Sequence, residues 1–347
     1  MLHFLRGVTE PAEEGDVLVH ATPTQGNAIV RAMKCVATGD GAVALSAVDI
    51  AAIEACHHVV LHRAEPLDVA ALQPLAPAEL ACLVGGGAVG EHTVQFLAVV
   101  ALIDGSVRPE RIDAVARYSE ALGLHEDYLD ELIAAAEGRL QWAIADMSRR
   151  NVVSISDGRL RPDDFALWPY RDAPDPALAD RYRGLGVLPR RTFGAEFYRW
   201  YTAHGFAFPG EPSAVNEAFT CPHDSTHLLS GYSTSPQGEL LVSTFTAGMH
   251  PLEPMAGHVL PVIFSWHLGI ELNPLAGSWT GALHPRKFWV AWERGAETIG
   301  DPFAADWDFW ALAEAPLEDL KRRYRVPPLE PRDAAADDRP QGFTPLA

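Results

Sequence analysis

The chain has 347 residues and a formal charge of −19, from 46 acidic and 27 basic side chains. That length is more than one ordinary core fills, so two domains are expected. The acidity argues against nucleic acid as a partner and against electrostatic attraction to anionic lipid head groups, leaving only hydrophobic contact with a membrane.

Cys35, Cys56, Cys82 and Cys221 lie far apart with no CxxC pair, so neither a zinc ribbon nor a disulfide framework is indicated and reduced thiols are expected. The longest largely apolar run, Val94 to Ile103, spans ten residues and includes Gln95, whereas a membrane-spanning helix takes roughly 20. At the N-terminus a single Arg6 is followed by Glu10, Glu13 and Glu14, a pattern of neither a secretory signal nor a transit peptide. The expected location is cytoplasmic, with peripheral contact at the inner face of the cell membrane left open.

In chain order, residues 1–28 read as an N-terminal extension. The segment 29–150 is rich in Ala, Val and Leu, and every one of the nine tryptophans lies at or beyond Trp142. Such a shift in composition predicts two separate cores. Within the first segment, Asp40-Gly41-Ala42-Val43 followed by Val48-Asp49 recurs as Asp104-Gly105-Ser106-Val107 followed by Ile112-Asp113, 64 residues later. Each copy reads as an apolar helix (Ile29 to Thr38; Val94 to Ile103), an Asp-Gly turn and an amphipathic helix (Ser46 to Val60; Pro109 to Leu122). This paired pattern, with Ala121-Leu122-Gly123-Leu124 near its end, resembles the TerB-like (tellurite-resistance) helical domain over about residues 29–138. The aspartates Asp40 and Asp104 then read as turn residues, with a metal- or charge-sensing role as the alternative.

Gly85 to Gly90 has the spacing of a dinucleotide fingerprint, but no strand precedes it and no ribose-binding acid follows at the required distance. It is expected to be a loop between hairpins. The prolines and Asp157-Gly158 of residues 151–180 predict a linker. Residues 181–330 form the second expected domain and 331–347 a disordered tail. The expected fold class is all-α, two helical domains joined by a Pro-rich linker.

The chemistry concentrates in Pro222-His223-Asp224-Ser225-Thr226-His227. A helix starting at Pro222 would set His223, Asp224 and His227 at about 0°, 100° and 40° around its axis, on one face. Gly231 to Ser235 supplies a turn, and Ser235 and Pro236 cap and open a helix Gln237 to Met249. Glu239 then lies as far beyond the turn as His227 lies before it, so the hairpin can close a four-ligand site. An isolated His-x-x-x-His is more often a surface coincidence or a core pair. Two imidazoles and two carboxylates in one pocket are costly without a cation, and such mixed donors admit Zn²⁺, Fe²⁺, Mn²⁺ or Co²⁺.

The same segment, His-Asp-x-x-His followed by eleven residues and Glu, resembles the signature of the coenzyme Q biosynthesis protein 4 family. Leu188-Pro189 with Thr192-Phe193-Gly194, Phe197 and Tyr198, Gly238-Glu239-Leu240, and Trp292 to Leu320 resemble it in the same order, over roughly 150 residues. One departure is Ala218 to Pro222, where that family carries a charged and aromatic run.

The resemblance implies a metal-dependent protein of ubiquinone synthesis, with His223, Asp224, His227 and Glu239 as metal-binding and catalytic residues and Zn²⁺ as the favoured ion. It implies a prenylated quinone precursor or another isoprenoid lipid as ligand, oxidative decarboxylation of the ring carboxyl as reaction, and other quinone-biosynthesis proteins or a second copy of the chain as partners. The N-terminal helical domain would regulate or dock.

Two alternatives stand beside that reading. One is a non-catalytic lipid-binding scaffold with a structural metal. The other is an HD-type phosphohydrolase, which needs a further upstream His and a distant Asp; His204, Asp301 and Asp306 are available. Asp224 in the place of the general-base Glu argues against a zincin protease. Leu240 to Phe245, Val259 to Trp266, Trp279, Trp289 and Trp292 read either as a groove for a prenyl tail or as helical core. His250, His258, His267 and His284 read as ordinary residues.

Overall fold

The computed structural model describes residues 17–335 apart from 274, 276 and 277. Among the described residues the fold is all-α, with no strand beyond two isolated bridges, Thr192 to Pro316 and Leu268 to Thr280. The first helices are α1 (Pro23–Ala37), α2 (Ala47–Val59), α3 (Pro77–Val84), α4 (Ala88–Leu102), α5 (Pro109–Leu122), α6 (Tyr128–Ala136) and α7 (Leu140–Ile155). They continue with α8 (Pro176–Gly184), α9 (Phe193–His204), α10 (Glu217–Ser230), α11 (Pro236–Met249), α12 (Leu260–Val262), α13 (Pro285–Glu297), α14 (Phe309–Leu312) and α15 (Leu317–Arg323).

Both expected N-terminal hairpins form. Capping boxes at Thr22 and Ser46 start α1 and α2, satisfying backbone donors that a helix leaves free. The Asp-Gly turns are present too, with Asp40 and Gly41 both at positive φ. Asp104 accepts hydrogen bonds from Ser106 and Arg108 and pairs with Arg111. Asp40 pairs with Arg117. Guanidinium groups thus occupy both aspartates. Gly85 ends α3 and Gly87 precedes α4, so the glycine run is the connection between two helices.

The cores are divided differently from the sequence expectation. Buried residues of α1, α2, α4 and α5 form one continuous core with Leu240, Leu241 and Phe245 of α11 and Phe288, Trp289 and Trp292 of α13. Trp289 Nε1 donates to the Ala52 carbonyl at 2.9 Å, and Phe96 packs edge-on against Trp289 and Trp292. Composition could not reveal this, because the Ala- and Val-rich helices supply small surfaces into which the distant tryptophans fit. Close contact of α11 with α13 depends on Gly248 and Gly295, where an added Cβ would meet backbone at 2.3 and 2.0 Å.

A second, smaller core joins Tyr182, Phe193, Phe197 and Tyr201 to Cys221 and Leu229 of α10 and to Phe309 and Leu320. The expected extension and tail differ as well. Leu18 and Val19 are buried and α1 begins at Pro23, while the buried Asp333 pairs with Arg286 at 2.8 Å. What was expected of residues 1–16 and 336–347 lies outside the described residues. The expected linker begins inside α7, which continues to Ile155, and ends inside α8. All four cysteines are free thiols. Among the described residues no helix is long and apolar enough to cross a membrane.

Candidate metal centre and its cavity

The hairpin that carries the site starts earlier than its prolines suggest. Asn216, not Pro222, caps α10, and Pro222 sits inside the helix. Its missing N–H leaves one carbonyl of the preceding turn without its usual partner. Gly231, at φ 83°, ends α10 in the left-handed conformation that glycine adopts without strain. Ser235 then accepts from the Gly238 amide and Pro236 opens α11, as expected.

These two helices belong to different cores: α10 buries Cys221 and Leu229 in the smaller one, α11 buries Leu240, Leu241 and Phe245 in the larger. The site lies on the seam.

One ligand atom each of His223, Asp224 and His227 falls within 4.8 Å of the others. Glu239 reaches across the hairpin, with Oε2 3.2 Å from His223 Nε2 and Oε1 3.5 Å from His227 Nε2. The two Nε2 atoms are 3.2 Å apart. With bonds of about 2.0–2.1 Å, the edge of a tetrahedron around one ion is about 3.3–3.4 Å, so these separations suit a shared cation. His227 Nδ1 lies 3.0 Å from the Tyr232 carbonyl. That nitrogen therefore carries the hydrogen, and in the neutral ring Nε2 turns a lone pair towards Glu239.

The electrostatics follow from this crowding. Burial opposes charge on His227, yet the Glu239 carboxylate outweighs it and raises the pKa. Burial likewise pushes Glu239 up, but His227 and His223 more than reverse this and hold it well below the usual carboxylate range. Asp224 is raised: burial dominates over the opposing pull of His223, His227 and the Tyr201 hydroxyl. The Tyr201 hydroxyl donates to Asp224 Oδ2 at 2.5 Å, and the Trp200 ring lies 5.4 Å from that of His227. The aromatic side chains of α9 thus hold the site from behind, a role legible only in the helical spacing of Phe197, Trp200, Tyr201 and His204.

His223, Asp224 and Glu239 line a cavity of about 850 Å³, within the range of small-molecule sites. Its walls come from α7, α9, α10, α11 and the segment 254–267, with Trp168, Trp200, Phe206, Phe219 and Trp266 prominent. Among its described lining residues there is no Lys or Arg, so imidazoles are the only cationic partners there for the two carboxylates. The expected tail groove needs correction, because Trp289 and Trp292 are fully buried in the larger core. Of the groups expected there, only Ser243 and part of 259–266 reach the cavity.

Of the residues offered for an HD-type centre, Asp301 pairs with His250 at 2.7 Å, while His204 lines the cavity with its Nδ1 2.8 Å from the Trp200 carbonyl. His267 Nε2 lies 3.1 Å from the Ile103 carbonyl. His258, which reads as ordinary in sequence, lines the cavity.

No family model matches the chain, and no curated protein matches it in sequence. Among solved structures, the crystal structure of a "Putative ubiquinone biosynthesis protein" from Nostoc punctiforme PCC 73102 is similar at 17% identity with a TM-score of 0.30, over 58% of this chain and 95% of that one.

Proposed function

We propose that this chain is a metal-dependent protein of ubiquinone synthesis, in which His223, Asp224, His227 and Glu239 hold one divalent cation and a prenylated aromatic intermediate occupies the adjoining cavity. The observation that carries the reading is that three of the four candidate ligands line a large, aromatic-walled cavity, while His227, 2% exposed, closes the site from within. A purely structural ion has no need of such a cavity.

A bound divalent ion would supply Lewis acidity or, if redox-active, a place for O₂. The protein's own groups then orient the ring. Aromatic walls take the apolar tail, and Tyr201 keeps Asp224 aimed at the site. Replacing a ring carboxyl by hydroxyl releases CO₂ and consumes O₂, two electrons and two protons with formation of one water. The electron donor lies outside this chain.

The test is to measure metal in the purified protein and then turnover of a prenylated 4-hydroxybenzoate under O₂ with Zn²⁺, Fe²⁺, Mn²⁺ and Co²⁺ in turn. Roughly one ion per chain is expected, with ion and turnover both lost in His227→Ala. A wild-type protein that takes up none of the four ions refutes the reading. Stoichiometric ion without turnover turns it to the scaffold.

A further inference from the structure

The cavity has a second polar wall, opposite in character to the acidic one. It belongs to the segment 254–267, where π-helical turns Pro254–Val259 and Ile263–His267 flank the short α12. Such turns displace side chains from α-helical positions and recur at functional sites.

This segment is locked against α7. Asn151 Nδ2 donates to the Gly257 carbonyl at 2.6 Å, and Ser154 Oγ donates to the Leu252 carbonyl at 2.7 Å. The approach requires Gly257, where an added Cβ would meet Ser154 Cβ at 2.7 Å.

His258 Nε2 lies 2.7 Å from that same Ser154 Oγ. A serine hydroxyl has one hydrogen, and here the Leu252 carbonyl takes it. His258 Nε2 must therefore be the donor, which leaves Nδ1 of the neutral ring as a bare acceptor. His258 is 5% exposed and lines the cavity. No hydrogen-bond partner of its Nδ1 is found among the described residues.

The groups around His258 keep it neutral. Burial acts first, then His250, 5.8 Å away ring to ring, and His223, and together they hold its pKa well below the ordinary value. Phe303 covers another side at 5.3 Å. On the last π turn, Ser265 lines the same cavity, and its buried Oγ also has no partner. A bare acceptor on a buried residue that lines a cavity indicates a ligand that brings its own hydrogen-bond donor.

We propose that His258 Nδ1 is a specificity-determining acceptor for a hydroxyl of the bound ring, so that the cavity selects a free phenol over its ether. This rests on the cavity being the ligand site of the proposed function, and it adds which face of the ring the protein reads. A site built to accept a hydroxyl hydrogen discriminates against an analogue that lacks it, because the buried acceptor is then left unpaired.

The probes are 3-geranyl-4-hydroxybenzoate and its 4-methyl ether, titrated against the full chain while following fluorescence of the cavity tryptophans, with and without Zn²⁺. Wild-type protein should bind the phenol at least about tenfold more tightly than the ether. His258→Gln can keep the donor towards Ser154 but lacks the acceptor at Nδ1, and should bring the phenol down to the ether's affinity. His258→Asn, with an amide oxygen near the place of Nδ1, should recover part of the preference.

Equal binding of phenol and ether by the wild type overturns the assignment of His258 alone, and so does an undiminished preference in a folded His258→Gln. If the wild type binds neither compound, the cavity reading falls and this inference with it. Loss of metal in His227→Ala with the phenol preference intact would separate the two, keeping His258 and removing the metal.

Discussion

The paired Asp-Gly hairpins and the His223–Glu239 hairpin both place carboxylates at helix junctions, yet their partners differ. In the first, arginines pair with the acids: Arg111 bonds Asp49 at 3.0 Å and lies 3.3 Å from Asp104, and Arg117 pairs with Asp40. In the second, two imidazoles face two carboxylates on the wall of a cavity without Lys or Arg. A guanidinium with a carboxylate satisfies both charges and leaves nothing for a ligand to do. Neutral imidazoles leave the negative charge open, to be met by a proton or a metal ion.

Breaking the first arrangement should cost most. Arg111 and Asp49 are fully buried, and Arg111→Ala leaves an unpaired buried carboxylate, a change that costs about 3–5 kcal/mol. Urea denaturation should show this loss while metal uptake by the protein that remains folded is unchanged. A change in metal affinity without loss of stability would erase the distinction between the two hairpins.

Glu131 is an intermediate case that sharpens it. Arg150 Nε is 3.4 Å away but is shared with Asp127, Asp146 and Glu253, and neither Glu131 oxygen is hydrogen-bonded. Burial first, then Asp146, raise its pKa to about 9 against the pull of Arg150. The folded state therefore holds a proton that the unfolded chain releases, and stability falls as pH rises from the ordinary carboxylate range to about 9. Glu131→Gln should stabilise the protein at pH 8 by on the order of 2 kcal/mol and by little at pH 5. A constant difference in melting temperature across that range would show that Glu131 is ionised in the fold.

The smallest effect is expected at Tyr201. Tyr201→Phe removes one hydrogen bond to Asp224 and should cost about 1–2 kcal/mol. It should also raise the Asp224 pKa further, because the hydroxyl now opposes the dominant effect of burial. Metal affinity in the variant should then fall more steeply below neutral pH than in the wild type. Parallel pH profiles would assign Tyr201 to packing alone.

Most of the helices of the first hairpins were legible because apolar periodicity, capping residues and Asp-Gly turns act within a few residues of one another. The division into cores was not. Trp289 sealing against Ala52 and Phe96 is a contact between surfaces nearly 200 or more residues apart, and composition says only that each surface is apolar. Pro222 misled for a related reason: a proline is compatible with a helix start, but Asn216 had already begun the turn.

The sequence by itself determined the local geometry of the site. The four-residue step from His223 to His227, a glycine stop and a Ser-Pro start fix how far Glu239 stands from the imidazoles, since helix rise and rotation are properties of the backbone. Only the tertiary structure decided that α10 and α11 belong to different cores, that a cavity opens along their seam, and that a π-helical segment presents His258 to it. Those outcomes depend on which apolar faces meet and where they fail to fill space, and no short stretch of chain encodes that.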